Sequence, residues 1–407
     1  MRIHLVSEHA SPLAALGGAD AGGQNVQVAE QARGLARLGH EVVVHTRRDA
    51  VDLPSVASTG AGFTVEHVPA GPPEPVPKDE LLPYVDAFGR HLADRWARDR
   101  PDVVHAHFWM SGVASLAGAA GLDVPVVQTF HALGRVKRRN QGAKDTSPPE
   151  REETEAAIAR EVDCVVATCS DEVAELAEMG VPRRRTAIVP CGIDLGKFTP
   201  DGPRAPRRDR PRLLSIGRLV ERKGVDTAIE ALRYVPDAEL LVAGGPRLAD
   251  WPDDPEVARL RAVARRSGVA DRVDFLGPVD HDDAPALYRS ADVVVSVPWY
   301  EPFGTVPLEA MACGVPPVVT AVGGHLDTVA DGRTGLLVPP RDPQALADRL
   351  NALLARPTAR AELGRAGVER VRSRYGWSGL VRDVEVVYRR VLAQRTASAP
   401  LPTGGRS

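Results

Sequence analysis

Short apolar runs alternate with helical patterns along this chain, and one proline-rich segment divides the alternation into two. Alternation of this kind favours parallel βαβ units with helices on both faces of a sheet. The dividing segment, Pro200–Pro211, is charged and lacks apolar periodicity, as is typical of a linker between domains. We therefore expect an α/β protein whose two open, parallel-sheet domains face each other across a cleft, with ligands at the carboxyl ends of the strands.

The domain boundaries follow from that division. Residues 1–199 form the expected first domain, 200–211 the linker and 212–376 the second domain. A last helical pattern over residues 377–395 is expected to cross back to the first domain, and the Pro-, Gly- and Ser-rich residues 396–407 are expected to be disordered. Within the first domain, one continuous helix is predicted over Asp79–Trp96.

Composition excludes several classes of protein. With a net charge of −3, the chain offers no electrostatic argument for binding nucleic acid or an anionic membrane. No apolar run approaches the ~18 residues of a membrane span, and the N-terminus resembles a first strand more than a signal peptide. The four cysteines lack metal-ligand spacing, which indicates reduced thiols in a cytoplasmic protein without a metal site.

The stretch Tyr300–Glu309 carries the strongest functional signal. It follows the apolar run Val293–Val297, turns at Gly304 and leads into a helical pattern that begins at Pro307. A strand, a glycine turn and a helix start leave backbone N–H groups free for an anion. Because Glu301 and Glu309 bracket the turn, a ligand with both phosphates and hydroxyls explains the stretch better than phosphate alone. The alternative is an ordinary solvated loop with surface glutamates.

Two further glycine-containing loops follow predicted strands. After the first strand of the second half, Arg218 and Lys223 form a pair suited to neutralising a diphosphate leaving group. Lysine is scarce in this arginine-rich chain, which draws attention to Lys223 and Lys78. Near the N-terminus, Gly17–Asn25 could bring backbone close to a phosphate or sugar, but its spacing disfavours a dinucleotide site. A solvated basic turn and a flexible surface loop are the respective alternatives.

Two groups of motifs, one in each half of the chain, together resemble the retaining glycosyltransferases of family 4. On the donor side these are Gly217-Arg218-Leu219 with Lys223-Gly224, Glu301-Pro302-Phe303-Gly304 with Glu309, and Gly323-Gly324. In the first half they are Gly22-Gly23-Gln24-Asn25, His105–Trp109 and Phe130–Lys137, which resemble the branch of the inositol-phosphate N-acetylglucosaminyltransferases and sucrose-phosphate synthases. The resemblance implies the GT-B fold of two Rossmann-like domains, retention of anomeric configuration, and no metal or other cofactor.

The resemblance also implies roles at the donor site. Arg218 and Lys223 would hold the nucleotide diphosphate, and Glu309 would accept hydrogen bonds from the ribose. Glu301 and His131 would contact the transferred sugar. The remaining donor contacts would be backbone amides, which are those of Gly23, Phe303, Gly304 and Thr305. His105 and His107 alternate on a strand and share one face, which is directed either to the core or to the cleft mouth. His325, after the Gly323-Gly324 pair, is placed within reach of the donor.

Acceptor residues follow less specifically from the same resemblance. Lys78 and Arg151 match cations that grip an acceptor phosphate, and Asn25 belongs to the same set. Phe108 and Ala132 stand where the inositol-phosphate enzymes have a tyrosine and a threonine. The loss of two hydroxyl donors leaves both a phosphorylated and an unphosphorylated acceptor open. For Lys78 the alternative is an exposed loop lysine.

These observations lead to one expectation and three alternatives. We expect transfer of a glucosyl or N-acetylglucosaminyl unit from a nucleotide sugar, UDP-linked, to a polyol or sugar acceptor such as inositol phosphate. One alternative is a disaccharide-phosphate synthase of the sucrose-phosphate type. The others are a nucleotide-sugar-binding protein without turnover and a GT-B epimerase. The expected partners are small molecules, and a homodimer is compatible with the sequence.

Overall fold

A computed structural model describes residues 1–14 and 23–398 of the chain. The first half contains an eight-stranded sheet whose strands run in the order β3-β4-β2-β1-β5-β6-β7-β8. Its strands are β1 Arg2–Val6, β2 Glu41–Arg47, β3 Val56–Ser58, β4 Thr64–Val68, β5 Val103–His107, β6 Val126–Thr129, β7 Cys164–Ala167 and β8 Thr186–Ile188. Every neighbouring pair is parallel except β3 with β4.

Helices cover both faces of this sheet. They are α1 Gly23–Arg37, α2 Val85–Arg98, α3 Trp109–Ala119, α4 Gly134–Gln141, α5 Arg151–Glu161 and α6 Ser170–Glu178. The prediction of one continuous helix over Asp79–Trp96 was wrong, because two short 3-10 turns precede α2. The second turn contains Pro83, which has no N–H to donate within a helix.

The second half repeats the architecture with a six-stranded, wholly parallel sheet in the order β11-β10-β9-β12-β13-β14. Its strands are β9 Arg212–Ile216, β10 Glu239–Ala243, β11 Val273–Gly277, β12 Val293–Ser296, β13 Pro317–Thr320 and β14 Leu336–Val338. Its helices are α7 Val225–Ala231, α8 Pro255–Arg266, α9 Ala284–Ser290, α10 Val306–Ala312, α11 His325–Thr328, α12 Pro343–Leu354 and α13 Pro357–Arg374. The central strands β10, β9, β12 and β13 are largely buried and apolar because helices cover both faces of the sheet.

The chain crosses between the halves twice. Residues 189–211 contain neither helix nor strand, and the return crossover lies beside them, where the Ile193 N–H donates to the Tyr375 carbonyl at 2.8 Å. The last helix, α14 Trp377–Ser398, then packs on α1, as expected of a helix that returns to the first half. There Gln31 Nε2 donates to the Tyr388 hydroxyl at 2.8 Å. The expected tail from residue 396 begins inside this helix, and residues 399–407 lie outside the described part.

Candidate active site

The strands of the two sheets end, at their carboxyl ends, on sides that face each other. The loops that follow these strands therefore border a shared cleft. One cavity of about 470 Å³ has Gly23 and Asn25 on its first-half side and Thr305 and Glu309 on the other. A second cavity of about 280 Å³ lies between Ala132 and the loop that contains Glu301. Of the predicted Gly17–Asn25 loop, residues 17–22 lie outside the described part of the chain.

The loop between β12 and α10 is held by close backbone packing. Gly304 has φ 83°, a left-handed conformation that favours glycine. A Cβ atom on Gly323 would lie 2.1 Å from the Glu301 carbonyl oxygen, and one on Gly324 would lie 2.4 Å from the Phe303 Cα atom. The backbone of this loop therefore packs directly against Gly323 and Gly324, and a side chain at either position would displace it.

Lys223 and Glu301 form an ion pair across that loop. Burial alone would raise the pKa of Glu301, but the positive charges of Lys223 and Arg222 outweigh it and lower the pKa to about 2. Glu301 is therefore ionised at neutral pH. Arg218 is exposed and lines the same small crevice as Lys223, between the ends of β9 and β12. The structure thus brings together the predicted diphosphate cations and the first glutamate.

Glu309 occupies a different environment. Its carboxylate accepts a hydrogen bond of 2.5 Å from the Tyr288 hydroxyl, and burial raises the pKa of the carboxyl group. The cavity that it borders also contains Lys197 and His281, whose Nζ and Nδ1 atoms are 2.6 Å apart. The second glutamate therefore borders the larger cavity and not the crevice that contains Arg218 and Lys223.

Two predicted residues of the first half adopt strained backbone conformations. Phe108 has φ 80° and His131 has φ 62°, and among the described residues only two other non-glycine residues have positive φ. Such strain persists only where the surroundings impose it, and it clusters at functional sites. His131 Nε2 lies 2.9 Å from His107 Nδ1, and burial lowers the pKa of His131 to about 3, so the ring is neutral.

The predicted acceptor residues converge, with one exception. The Arg151 guanidinium carbon lies 5.0 Å from the centroid of the Phe108 ring, and Lys78 Nζ lies 5.7 Å from it. Arg151 Nη2 also donates to the Ala132 carbonyl at 2.5 Å. The exception is Asn25, which lines the larger cavity with Gly23 and donates to the Ser11 carbonyl at 2.9 Å.

Several side chains at the cleft were missed from the sequence. Glu8 and His9 follow β1, with Glu8 Oε1 and His9 Nδ1 2.6 Å apart and the His9 ring centroid 4.8 Å from that of Phe108. Their place at the carboxyl end of a central strand was the available signal. Gln141 was missed because α4 was not predicted; its Nε2 donates to the Tyr300 hydroxyl at 2.5 Å, across the cleft.

His325, which was predicted to lie within reach of the donor, is instead buried and packs against the loop that contains Glu301. It is fully buried, its Nδ1 lies 3.1 Å from the Thr320 carbonyl oxygen, and a Cβ atom on Gly304 would lie 2.7 Å from its Nε2. It therefore lies beneath the Glu301 loop. Within residues 1–14 and 23–398, no three His, Cys, Asp or Glu side chains form a cluster able to hold a metal ion.

The two halves of the chain match two family models. Residues 201–370 match the family described as glycosyl transferases group 1, and residues 21–197 match glycosyltransferase family 4. The chain is 38% identical to a D-inositol 3-phosphate glycosyltransferase of Xylanimonas cellulosilytica, over 97% of this chain and 98% of that protein. This chain is a family 4 glycosyltransferase.

Other relatives of the transferase extend the comparison. A D-inositol 3-phosphate glycosyltransferase of Acidothermus cellulolyticus is 38% identical over 98% of the transferase and 92% of that protein. Sucrose-phosphate synthase from Thermosynechococcus elongatus superposes with a TM-score of 0.87 and 32% identity, covering 97% of the transferase and 99% of that chain. HepE of Anabaena, solved in complex with UDP, has the same fold with a TM-score of 0.72 and 18% identity, over 96% and 100% of the two chains.

These comparisons confirm the predicted GT-B fold of two Rossmann-like domains and the predicted family. In the part of the transferase that the structure describes, no helix is both long and apolar enough to cross a bilayer.

Proposed function

We propose that the transferase moves a hexosyl unit, with retention, from a UDP-sugar to a phosphorylated polyol, and that inositol phosphate is the acceptor. The observation that carries this proposal is the convergence of Lys78 and Arg151 on the Phe108 ring, on the opposite side of the cleft from Lys223. Two cations 5.0 Å and 5.7 Å from one ring centroid on the acceptor side suit a dianionic phosphate. The names of the curated relatives point to the same acceptor.

On the donor side, Arg218 and Lys223 would bind the diphosphate, together with the amides of Gly23, Phe303, Gly304 and Thr305. Glu301 would accept a hydrogen bond from a hydroxyl of the transferred sugar through a carboxylate that its low pKa keeps ionised. Glu309 would accept from the ribose. We take UDP as the nucleotide because HepE, which shares the fold, was solved with it.

The proposed reaction breaks the bond between the anomeric carbon and the diphosphate oxygen and forms a bond from that carbon to an acceptor hydroxyl oxygen. The acceptor attacks on the face from which the diphosphate leaves, and its proton passes to the leaving phosphate. Negative charge develops on the diphosphate during bond cleavage, and fixed cations and amides stabilise it. No second carboxylate is needed as a nucleophile, in contrast to retaining glycosidases.

A hexose phosphate is the second candidate acceptor. It is favoured by the superposition on sucrose-phosphate synthase and by the absence of hydroxyl groups at Phe108 and Ala132. The two cations would bind either phosphate, so the carbohydrate ring must decide between them.

The decisive assay compares inositol 3-phosphate, free inositol and fructose 6-phosphate as acceptors for UDP-glucose and UDP-N-acetylglucosamine. We expect turnover with inositol 3-phosphate and an anomerically retained product by NMR. Lys78→Ala should raise the KM for that acceptor about 10- to 100-fold, as expected for the loss of one charge-assisted hydrogen bond, and leave the KM for the UDP-sugar unchanged. Lys144→Ala, which removes a cleft lysine paired with Glu221, is the matched control. An unchanged KM in Lys78→Ala would refute the acceptor assignment, and release of UDP without any acceptor would favour the epimerase.

A further inference from the structure

Three imidazole rings stack behind the cleft. The ring centroids of His105 and His107 are 4.3 Å apart, and those of His107 and His131 are 5.2 Å apart. His105 and His107 are buried, so of the two predicted orientations they face the core and not the cleft mouth. His131 is only partly buried. His131 is thus the end of the row that a ligand in the cleft can reach.

One hydrogen bond joins His131 to the row, between its Nε2 atom and His107 Nδ1 at 2.9 Å. The other nitrogen of His107, Nε2, is buried and has no hydrogen-bond partner among the described residues. The other nitrogen of His131, Nδ1, also has no hydrogen-bond partner among the described residues. Unlike His107 Nε2, it is not buried. It is therefore the nitrogen that remains available to a ligand.

The burial of His107 Nε2 decides which ring donates. If His131 donated from Nε2, neutral His107 would carry its proton on Nε2, and a buried N–H would have no acceptor. If His107 donates from Nδ1, the enclosed atom is a bare nitrogen lone pair. Orphaned buried N–H groups are rare in proteins, more so than unpaired acceptors, so donation from His107 is favoured. Neutral His131 must then carry its own proton on Nδ1.

The far end of the row is fixed independently. His105 Nδ1 lies 3.0 Å from Gln31 Nε2, an amide nitrogen that can only donate, so His105 carries its proton on Nε2. That Nε2 lies 2.9 Å from the Thr129 hydroxyl oxygen. These hydrogen bonds hold the His105 ring in place beside His107, with the two ring centroids 4.3 Å apart.

We propose that His107 is a positioning residue that holds His131 in the Nδ1–H tautomer, so that His131 presents a hydrogen-bond donor to the transferred sugar. The consequence for substrate choice rests on the proposed function and on the contact between His131 and that sugar that the family resemblance implies. An N–H donor requires an acceptor oxygen at the facing position, so a donor sugar that lacks this hydroxyl would lose the contact. The tautomer itself is a property of the free protein and can be tested without substrate.

The first test is a long-range ¹H–¹⁵N correlation spectrum of histidine-labelled protein, with the His131 signals assigned by their loss in His131→Gln. We expect His131 to carry its proton on Nδ1. In His107→Phe, which keeps an aromatic ring in the row but removes the N–H, the His131 proton should redistribute toward Nε2. In His107→Asn, whose amide nitrogen can take the place of Nδ1, the wild-type tautomer should persist. A wild-type His131 protonated on Nε2 would overturn the proposal without any variant being needed.

The second test is kinetic. His107→Phe should lower kcat about tenfold, a fraction of what loss of a whole donor costs, with the KM of the acceptor unchanged, and His107→Asn should restore most of it. The matched control is His45→Phe, which removes another fully buried histidine of the same half and should leave the His131 tautomer unchanged. A normal tautomer in His107→Phe would refute the role of His107. The expected tautomers with unchanged kcat in every variant would instead place the error in the proposed contact between His131 and the sugar.

Discussion

Each side of the cleft contains a glutamate paired with a cation, and the two pairs shift the glutamate pKa in opposite directions. On the donor side, Lys223 and Arg222 outweigh the effect of burial and lower the pKa of Glu301 to about 2. On the acceptor side, burial outweighs Arg151 and raises the pKa of Glu155. Positive charge therefore exceeds negative charge around Lys223 and Glu301, which suits an incoming diphosphate. Arg151 and Glu155 instead largely neutralise each other.

The hydrogen bonds of the two cations explain the difference. Arg151 donates to Glu155 at 2.7 Å, to Ser147 at 3.2 Å and to the Ala132 carbonyl, and Glu155 also accepts from the Gly134 N–H at 2.8 Å. Lys223 makes its side-chain hydrogen bond to Glu301. Arg151 thus holds the acceptor loops together and has few donors left for a phosphate, which makes Lys78 the principal acceptor cation of the proposed site.

Among the predicted effects, acidification should produce the largest difference in stability between the two halves. His4, His45, His105 and His107 are fully buried in the first half, and His325 alone is equally buried in the described part of the second. Burial lowers the pKa of each, to about 4 for His4 and about 3 for His105. Because the unfolded chain binds protons below its ordinary histidine pKa near 6.5 and the folded chain does not, stability falls as the pH falls from about 6.5 toward 4. Each of these histidines lowers the free energy of unfolding by about 1.4 kcal/mol for every pH unit of that fall.

Hydrogen exchange measured by mass spectrometry between pH 7 and 4.5, corrected for the intrinsic pH dependence, checks this expectation. Protection of β1, β2 and β5 should be lost before that of β9, β10 and β12. Simultaneous loss in both halves would mean that they unfold as one unit, and earlier loss in the second half would contradict the histidine argument.

Removing the cation should affect stability on one side of the cleft and activity on the other. Arg151→Ala leaves Glu155 buried without its ion-pair partner, so we expect about 3–5 kcal/mol of destabilisation. Chemical denaturation monitored by fluorescence measures it. Glu155→Gln in the Arg151→Ala background removes the stranded charge and should recover part of the loss. A stable Arg151→Ala protein would show that Arg151 is mainly a ligand-binding group.

Lys223→Ala should give the reverse pattern. The pair that it breaks lies at the cleft, and its loss removes a cation from the proposed leaving group, so kcat should fall about 10²- to 10³-fold. Unfolding free energy should change by much less than in Arg151→Ala. Steady-state kinetics and UDP titration measure the effect, with Lys144→Ala, which removes an exposed lysine paired with Glu221, as the control. A loss confined to stability would remove the distinction between the two pairs.

The proximity of the donor-side residues could be predicted from the sequence more directly than that of the acceptor-side residues, for a physical reason. Arg218, Lys223 and Glu301 each lie just after a strand of one sheet, so their proximity follows from the parallel topology alone. Lys78, Phe108 and Arg151 come from three separate connections, and what joins them is the Phe108 ring with its φ of 80°. Neither that conformation nor the burial of Arg151 can be read from residue spacing. The hydrogen bond between His107 and His131 was equally hidden, because it depends on ring orientation.

The smallest expected effect concerns the two missing hydroxyl groups on the acceptor side. Phe108→Tyr adds a hydroxyl to a ring that already has the Arg151 and Lys78 cations 5.0 Å and 5.7 Å from its centroid. If a phosphate binds between these cations, the new donor should lower the acceptor KM by about fivefold, the value of one added hydrogen bond of about 1 kcal/mol. Free inositol should gain nothing, which makes it the internal control. Equal gains for both acceptors would place the hydroxyl against the polyol ring, and an unchanged KM for the phosphorylated acceptor would show that the phosphate lies away from Phe108.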